Sequence, residues 1–187
     1  MGMPHATERW TAEMVRALPD DGNRYEVVDG ELLVTPAPRL PHQEAVTQLI
    51  LIIRPYVDRH GIGCALMSPA DIEFDPHTLV QPDFFVAPLV SGRRPREWLE
   101  IKQLLLAVEV LSPSTARADR TVKRRRYQRA GVLEYWLIDL DARLIERWHR
   151  ADERPEIVTD SLTWQPDSRV PGLTLDLPRF FASVLEA

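Results

Sequence analysis

The sequence predicts a mixed α/β domain, and three observations carry that prediction. Apolar residues recur at helical spacing over 41–60, short runs rich in branched and aromatic residues follow, and the run 104–111 is apolar without alternation. An unbroken apolar run of that length is the pattern of a central strand covered on both faces, as in a layered sheet flanked by helices. The 187 residues suffice for one domain, with a core over about 20–180, and neither repeat nor linker divides them.

The elements follow in order. Asp29-Gly30 stands between the runs 25–28 and 31–35, and this dipeptide suits the positive φ angles of a tight turn, so the chain opens with a β-hairpin. Ala45, Leu49, Ile52, Ile53 and Tyr56 share one face of a helix over 41–60, Gly61 supplies its stop, and Pro55 is expected to kink it. Strands are expected at 64–68, 71–75 and 83–87, with 104–111 as the core strand. A basic helix over 119–130 ends at Gly131, and EYWLID at 134–139 is a further strand that can form a hairpin with 143–149. The remainder, 155–187, reads as short strands and a final helix near 178–185. The order from residue 41 is helix, three or four strands, helix, strand, with the hairpin before it and a β extension after it.

Composition narrows the class. Hydrophobic residues make up 44% of the chain and charged residues 27%, which excludes a collagen, a coiled coil and a disordered tail. Cys64, the single cysteine, can build neither a disulfide framework nor a thiolate zinc cage, and points to a reducing compartment. Residues 1–10 lack the pattern of a secretory leader, and no stretch approaches the roughly 20 apolar residues of a membrane span, so a cytoplasmic protein without a membrane partner is expected.

Glu109 is the most informative residue. It is the only charge between Gln103 and Arg117, and a lone carboxylate in a doubly covered strand needs a cation or hydrogen-bond donors beside it. An arginine in a buried ion pair meets that need, and so does a metal. Asp83 follows Pro82 at the head of a strand, where it either caps a turn or stands beside a strand carrying Glu109. Two carboxylates on adjacent strands are oxygen ligands of the kind Mg²⁺ takes. On a helical wheel, Lys123 and Arg126 fall within the apolar arc of Ala118, Val122, Tyr127 and Ala130, together with Asp119, while Arg120, Arg124 and Arg125 fall outside it.

Residues 117–129 hold seven basic side chains and one acid, in a chain whose net charge is −5. Such a contrast marks either a solvated helix face or a surface that meets phosphates. His42, in the first turn of the long helix, can point inward as a cap, a core group or a catalyst. Asp71, Glu73 and Asp75 alternate with Ile72 and Phe74 as a solvated strand face, with Asp71 available as a supplementary acid. Trp98, Trp136, Trp148 and Trp164 suit core or edge positions better than base stacking.

Taken together, YEVVDGEL at 25–32, PHQEAV at 41–46, QPDFFV at 81–86, LAVEVLSPST at 106–115 and ADRTVKRRRYQRAGVLEYWLID at 118–139 resemble the Uma-two family of restriction endonucleases, within the PD-(D/E)xK nuclease superfamily. The resemblance spans about 20–180 and implies a restriction-endonuclease-like core of αβββαβ order. Asp83 is then the motif aspartate and Glu109 the motif glutamate. The lysine expected two residues later is absent, since Leu111 stands there, and the resemblance moves its role to Lys123 on the following helix, where the wheel independently turns it inward. His42 completes the catalytic set implied, while Glu26, Glu31 and Asp119 also match family positions.

The activity implied is metal-assisted hydrolysis of phosphodiesters in nucleic acid, DNA before RNA. Asp83 and Glu109, with the carbonyl of Val110, would hold Mg²⁺, for which Mn²⁺ can substitute, and Lys123 would orient the attacking water or stabilise developing charge. Arg120, Arg124 and Arg125 would hold the flanking backbone. Two cuts in a duplex from a domain with one site are most simply made by a homodimer. The alternative is a nuclease-like fold kept as a nucleic-acid-binding or interaction module without useful catalysis.

Overall fold

Asp29 and Gly30 both take left-handed φ, 53° and 86°, and turn β1 (Arg24–Val28) into β2 (Glu31–Thr35) in the computed structural model, which describes residues 9–186. Most of the segment read for a leader, residues 1–8, lies outside the described residues. Before the hairpin, α1 (Ala12–Arg16) begins at Thr11, whose hydroxyl accepts the Met14 N–H, and packs Ala12 and Val15 on Val27 and Leu79. Alternation along β1 therefore gives Tyr25 and Val27 to that small cluster and turns Arg24, Glu26 and Val28 to the opposite face.

The long helix α2 (Leu40–His60) continues past Pro55 as one element, so the expected kink does not end it, and Gly61 closes it at φ 59°. The chain then forms β3 (Gly63–Met67), β4 (Ile72–Asp75), β5 (Thr78–Val80), β6 (Phe84–Pro88) and β7 (Leu106–Val110). A helical crossover follows: α3 (Ala116–Ala118), a π-turn (Asp119–Lys123) and α4 (Arg124–Arg129). After it come β8 (Glu134–Asp139), β9 (Leu144–His149), β10 (Glu156–Val158), β11 (Ser161–Trp164), β12 (Leu173–Asp176) and α5 (Leu177–Leu185).

The main sheet has the order β10-β9-β8-β7-β6-β3, and only β7 and β8 run parallel, joined by the crossover. Its strands from β3 to β8, with α2 before them, reproduce the expected αβββαβ order once β4 and β5 are set aside. Those two strands leave the main sheet and pair with the hairpin in a second sheet of order β2-β1-β5-β4. The three residues of β5 show no periodicity from which a strand could be read, and its place is set by pairing with β1 and β4.

One face of the main sheet carries Phe84, Val86, Val108 and Trp136 against α2, α5 and the β11–β12 hairpin. The other carries Phe85, Ala107, Tyr135 and Leu137 against the crossover and the small sheet. β7 is buried along its whole length, as its unbroken apolar run predicts. Among the described residues no helix is long and apolar enough to cross a membrane.

Candidate active site

β6 and β7 pair with Phe84 opposite Val108 and Phe85 opposite Ala107, and carrying this register one residue further puts Asp83 across from Glu109. Directly opposed residues of an antiparallel pair hold their Cβ atoms about 4.5–5.5 Å apart. Both side chains face the crossover and the small sheet, with the parity of Phe85 and Ala107. The Val110 N–H, at the end of β7, donates to Asp83 Oδ2 at 2.8 Å.

The crossover presents Asp119, Lys123 and Tyr127 at successive i, i+4 positions, and all three are buried. Lys123 Nζ lies 2.7 Å from Glu109 Oε1, 3.0 Å from Glu26 Oε2 and 3.5 Å from Asp119 Oδ1. The Tyr127 hydroxyl donates to Glu109 Oε1 at 3.0 Å. From the small sheet, Glu26 accepts the Gln81 N–H at 2.7 Å, and Arg24 Nη1 meets Asp83 Oδ1 at 2.6 Å. From α2, His42 Nε2 stands 3.2 Å from Asp83 Oδ2.

Six charged residues from four elements thus meet between the two sheets. Glu26, Asp83, Glu109 and Asp119 stand against Arg24 and Lys123, so the cluster holds two more acids than permanent cations. The imbalance appears in the acid strengths. Burial pushes the Glu109 carboxyl well above the usual range, with Asp83, Asp119 and Glu26 adding to the effect and Lys123 opposing it. Burial also raises Asp119. Asp83 goes the other way: burial would raise it, but the His42 hydrogen bond and the Arg24 charge hold it well below the usual range. Burial likewise works against the Lys123 ammonium, and Glu109, Glu26 and Asp119 overcome it, so Lys123 holds its proton more tightly than an exposed lysine.

Above the cluster opens a cleft of about 970 Å³. Arg24 and His42 line it, with Gln81, Ser112, Arg120 and Asp139, while Asp83, Glu109 and Lys123 lie beneath and are at most 4% exposed.

A family model for Uma2, described as "Putative restriction endonuclease", matches residues 12–178. The chain belongs to the Uma2 family. Among curated proteins no relative matches. The chain is also similar in fold to a crystal structure described as "a putative nuclease belonging to DUF820" from Anabaena variabilis ATCC 29413, with 22% identity, a TM-score of 0.70, and coverage of 94% of this chain and 99% of that one.

In this Uma2 chain the structure brings together Asp83, Glu109, Lys123 and His42, and adds Glu26 and Asp119. Val110 joins them through its N–H. Glu31 is exposed at the start of β2 and stays apart. The basic helix is more heavily engaged than its charge run suggests. Arg120 pairs with Glu146 and Asp139, Arg126 with Asp75, and Arg129 with Asp29. Arg124 lies over the Trp148 ring and donates to Gln128. Arg125 and Arg117 are exposed and make no ion pair among the described residues. Asp71 and Glu73 are likewise paired, with Arg16.

Two residues of the cluster escape the sequence reasoning as functional groups. Arg24 was accessible in principle, two residues before Glu26 on one face of β1. Tyr127, one turn beyond Lys123, reads as core, and only its hydroxyl's bond to Glu109 gives it a polar role.

Among the described residues no group of three or more His, Cys, Asp and Glu side chains is arranged to hold a metal. The donor set nevertheless suits Mg²⁺, which keeps several waters and takes one or two protein carboxylates. Asp83 and Glu109 supply that pair, and a divalent ion would cancel the cluster's excess of two negative charges.

Proposed function

We propose that this protein is a divalent-metal-dependent nuclease acting on phosphodiester bonds of nucleic acid, with DNA as the first substrate to test. The observation that carries the proposal is the facing pair of buried carboxylates, Asp83 and Glu109, inside a cluster two positive charges short of neutrality. Family membership supports the same reading.

Asp83 and Glu109 would hold the metal, with the Val110 carbonyl as a third oxygen. Bound there, a divalent ion supplies Lewis-acid polarisation of the phosphate and a water of lowered pKa. The chain's own groups do the rest. Arg24, His42 and the Val110 N–H fix the Asp83 carboxylate, and Tyr127 and Lys123 fix Glu109. Lys123, held as the ammonium, offers positive charge to the oxygen on which charge develops. Arg125 is free to meet flanking phosphate, whereas Arg120 and Arg124 reach one only by exchanging present partners. Paired cuts in a duplex make a symmetric dimer the simplest assembly.

The burial of Asp83 and Glu109 beneath Arg24 and His42 favours a second reading, a nuclease fold that binds without cutting. Incubating the wild type with single- and double-stranded DNA and with RNA, in Mg²⁺, Mn²⁺ or chelator, separates the two. The nuclease reading expects cleavage that requires metal and is absent from Asp83→Asn. Nucleic-acid binding with no cleavage under any condition would establish the binding module instead.

A further inference from the structure

We infer that Arg24 is the residue that grips the substrate phosphate beside the carboxylate pair, an inference that rests on the nuclease reading and assigns its substrate contact. Arg24 opens β1 on the face shared with Glu26, and its side chain lines the cleft above the buried acids. A guanidinium has five N–H donors, and here Nη1 alone has an acceptor, Asp83 Oδ1 at 2.6 Å. Nε is buried with no partner among the described residues. Nη2 has no acceptor among the described residues either, so the guanidinium keeps donors for an anion that enters the cleft.

The lone pairs of Asp83 say where that something sits. Oδ2 already receives the Val110 N–H and His42 Nε2, which fills it. Oδ1 receives only Arg24 and keeps one lone pair. A cation held by Asp83 would use that remaining lone pair, and a phosphate drawn to it would find the unused donors of the Arg24 guanidinium nearby. Planar guanidinium and phosphate match in a two-pronged hydrogen bond, which an ammonium cannot form. The other arginines of the cleft are less suited. Arg16 is bound to Asp71 and Glu73, Arg120 to Asp139 and Glu146, and Arg39 is exposed with no anchoring ion pair among the described residues. Arg24 alone among them is fixed by a member of the carboxylate pair, Asp83, through a single donor and keeps its other donors without acceptors.

The test measures binding apart from chemistry. Anisotropy of a labelled single-stranded oligodeoxynucleotide is titrated in chelator at several salt concentrations, and Mn²⁺ binding is titrated calorimetrically without nucleic acid. Arg24→Ala is expected to weaken oligonucleotide affinity about tenfold or more and to lower the log-log salt slope by about 0.7, the value for one single-strand phosphate contact. Its Mn²⁺ affinity is expected to stay equal or to rise, since a competitor for Asp83 is gone. Arg24→Lys keeps the charge next to Asp83, and so the fold, and is expected to restore the slope without the full affinity. Arg54→Ala, which removes a like charge from the C-terminal half of α2, controls for global charge. If Arg24→Ala and Arg24→Lys both bind the oligonucleotide as the wild type does, with unchanged slope, Arg24 is only a counterion for Asp83 and the inference is overturned. If the wild type binds no nucleic acid in chelator or in metal, the nuclease reading itself falls and takes this one with it.

Discussion

Lys123 is the sole cation among three buried carboxylates, and its loss should be felt first as instability. Removing one partner of a buried pair costs about 3–5 kcal/mol, because the remaining charge is left uncompensated. Lys123→Ala is therefore expected to lose that order of stability in urea unfolding, and adding Glu109→Gln should recover part of it, which a double-mutant cycle measures. The weakened acidity of Glu109, buried in the cluster, gives the pH dependence. A carboxyl whose folded pKa lies above its unfolded one binds its proton more tightly when folded. Its contribution is complete below the unfolded value of about 4.3 and is lost as pH rises through the folded value. In chelator, Glu109→Gln should gain stability relative to wild type as pH rises above about 4.3, and a gap that stays constant across the pH series would show that Glu109 is not strained by its burial. This much was legible in part: a lone glutamate in an apolar strand calls for a cation, and the helical wheel supplies it. Asp119, four residues before Lys123, shares its inward arc, whereas Glu26 was not legible as a partner, because it is 97 residues from Lys123 and only the fold joins them.

At the scale of elements, strong local signals gave sound assignments and weak ones did not. Asp29-Gly30 forces its turn by backbone conformation, and Gly61 ends α2 for the same reason. β5 has no such signal, and the π-turn at Asp119–Lys123 has none either. In that turn the Arg124 N–H reaches the Asp119 carbonyl, and the Tyr135 hydroxyl also donates to it at 3.2 Å. The basic run misleads for a related reason. Its partners, Asp29 in the hairpin turn, Asp75 on β4, Asp139 on β8 and Glu146 on β9, lie outside the helix, so a patch that looks like a phosphate surface is mostly neutralised within the fold. Arg124 and Arg125 should consequently behave differently. Arg125→Ala is expected to reduce the salt slope of DNA binding by about 0.9 with little change in stability. Arg124→Ala should leave the slope alone and cost about 0.5–1 kcal/mol, as its place over Trp148 predicts. Equal slopes for the two variants would place both side chains on phosphate.

Across the whole molecule, the small sheet is fastened to the main body by ionic contacts as well as by apolar packing. Arg24–Asp83 and Glu26–Lys123 form the buried part of this seam, with Asp75–Arg126 and Asp29–Arg129 toward its outside. Salt screens exposed pairs far more than buried ones. Hydrogen exchange of β1, β2, β4 and β5 is therefore expected to quicken modestly between low and high salt while β7 and β8 keep their protection; uniform change across both sheets would mean that the seam carries none of the docking energy. The long spans of these contacts also have a consequence for how the chain is made. Arg24 leaves the ribosome well before its partner Asp83, whereas Glu26, Glu109 and Asp119 all emerge before Lys123, the cation those three share. Until then those three acids remain better hydrated than buried, and of the buried ionic contacts only Arg24–Asp83 can draw the two sheets together. A nascent chain can form its hairpin and its long helix early, but the charged cluster is completed only in a late step, when residue 123 arrives and the floor of the cleft is sealed from below.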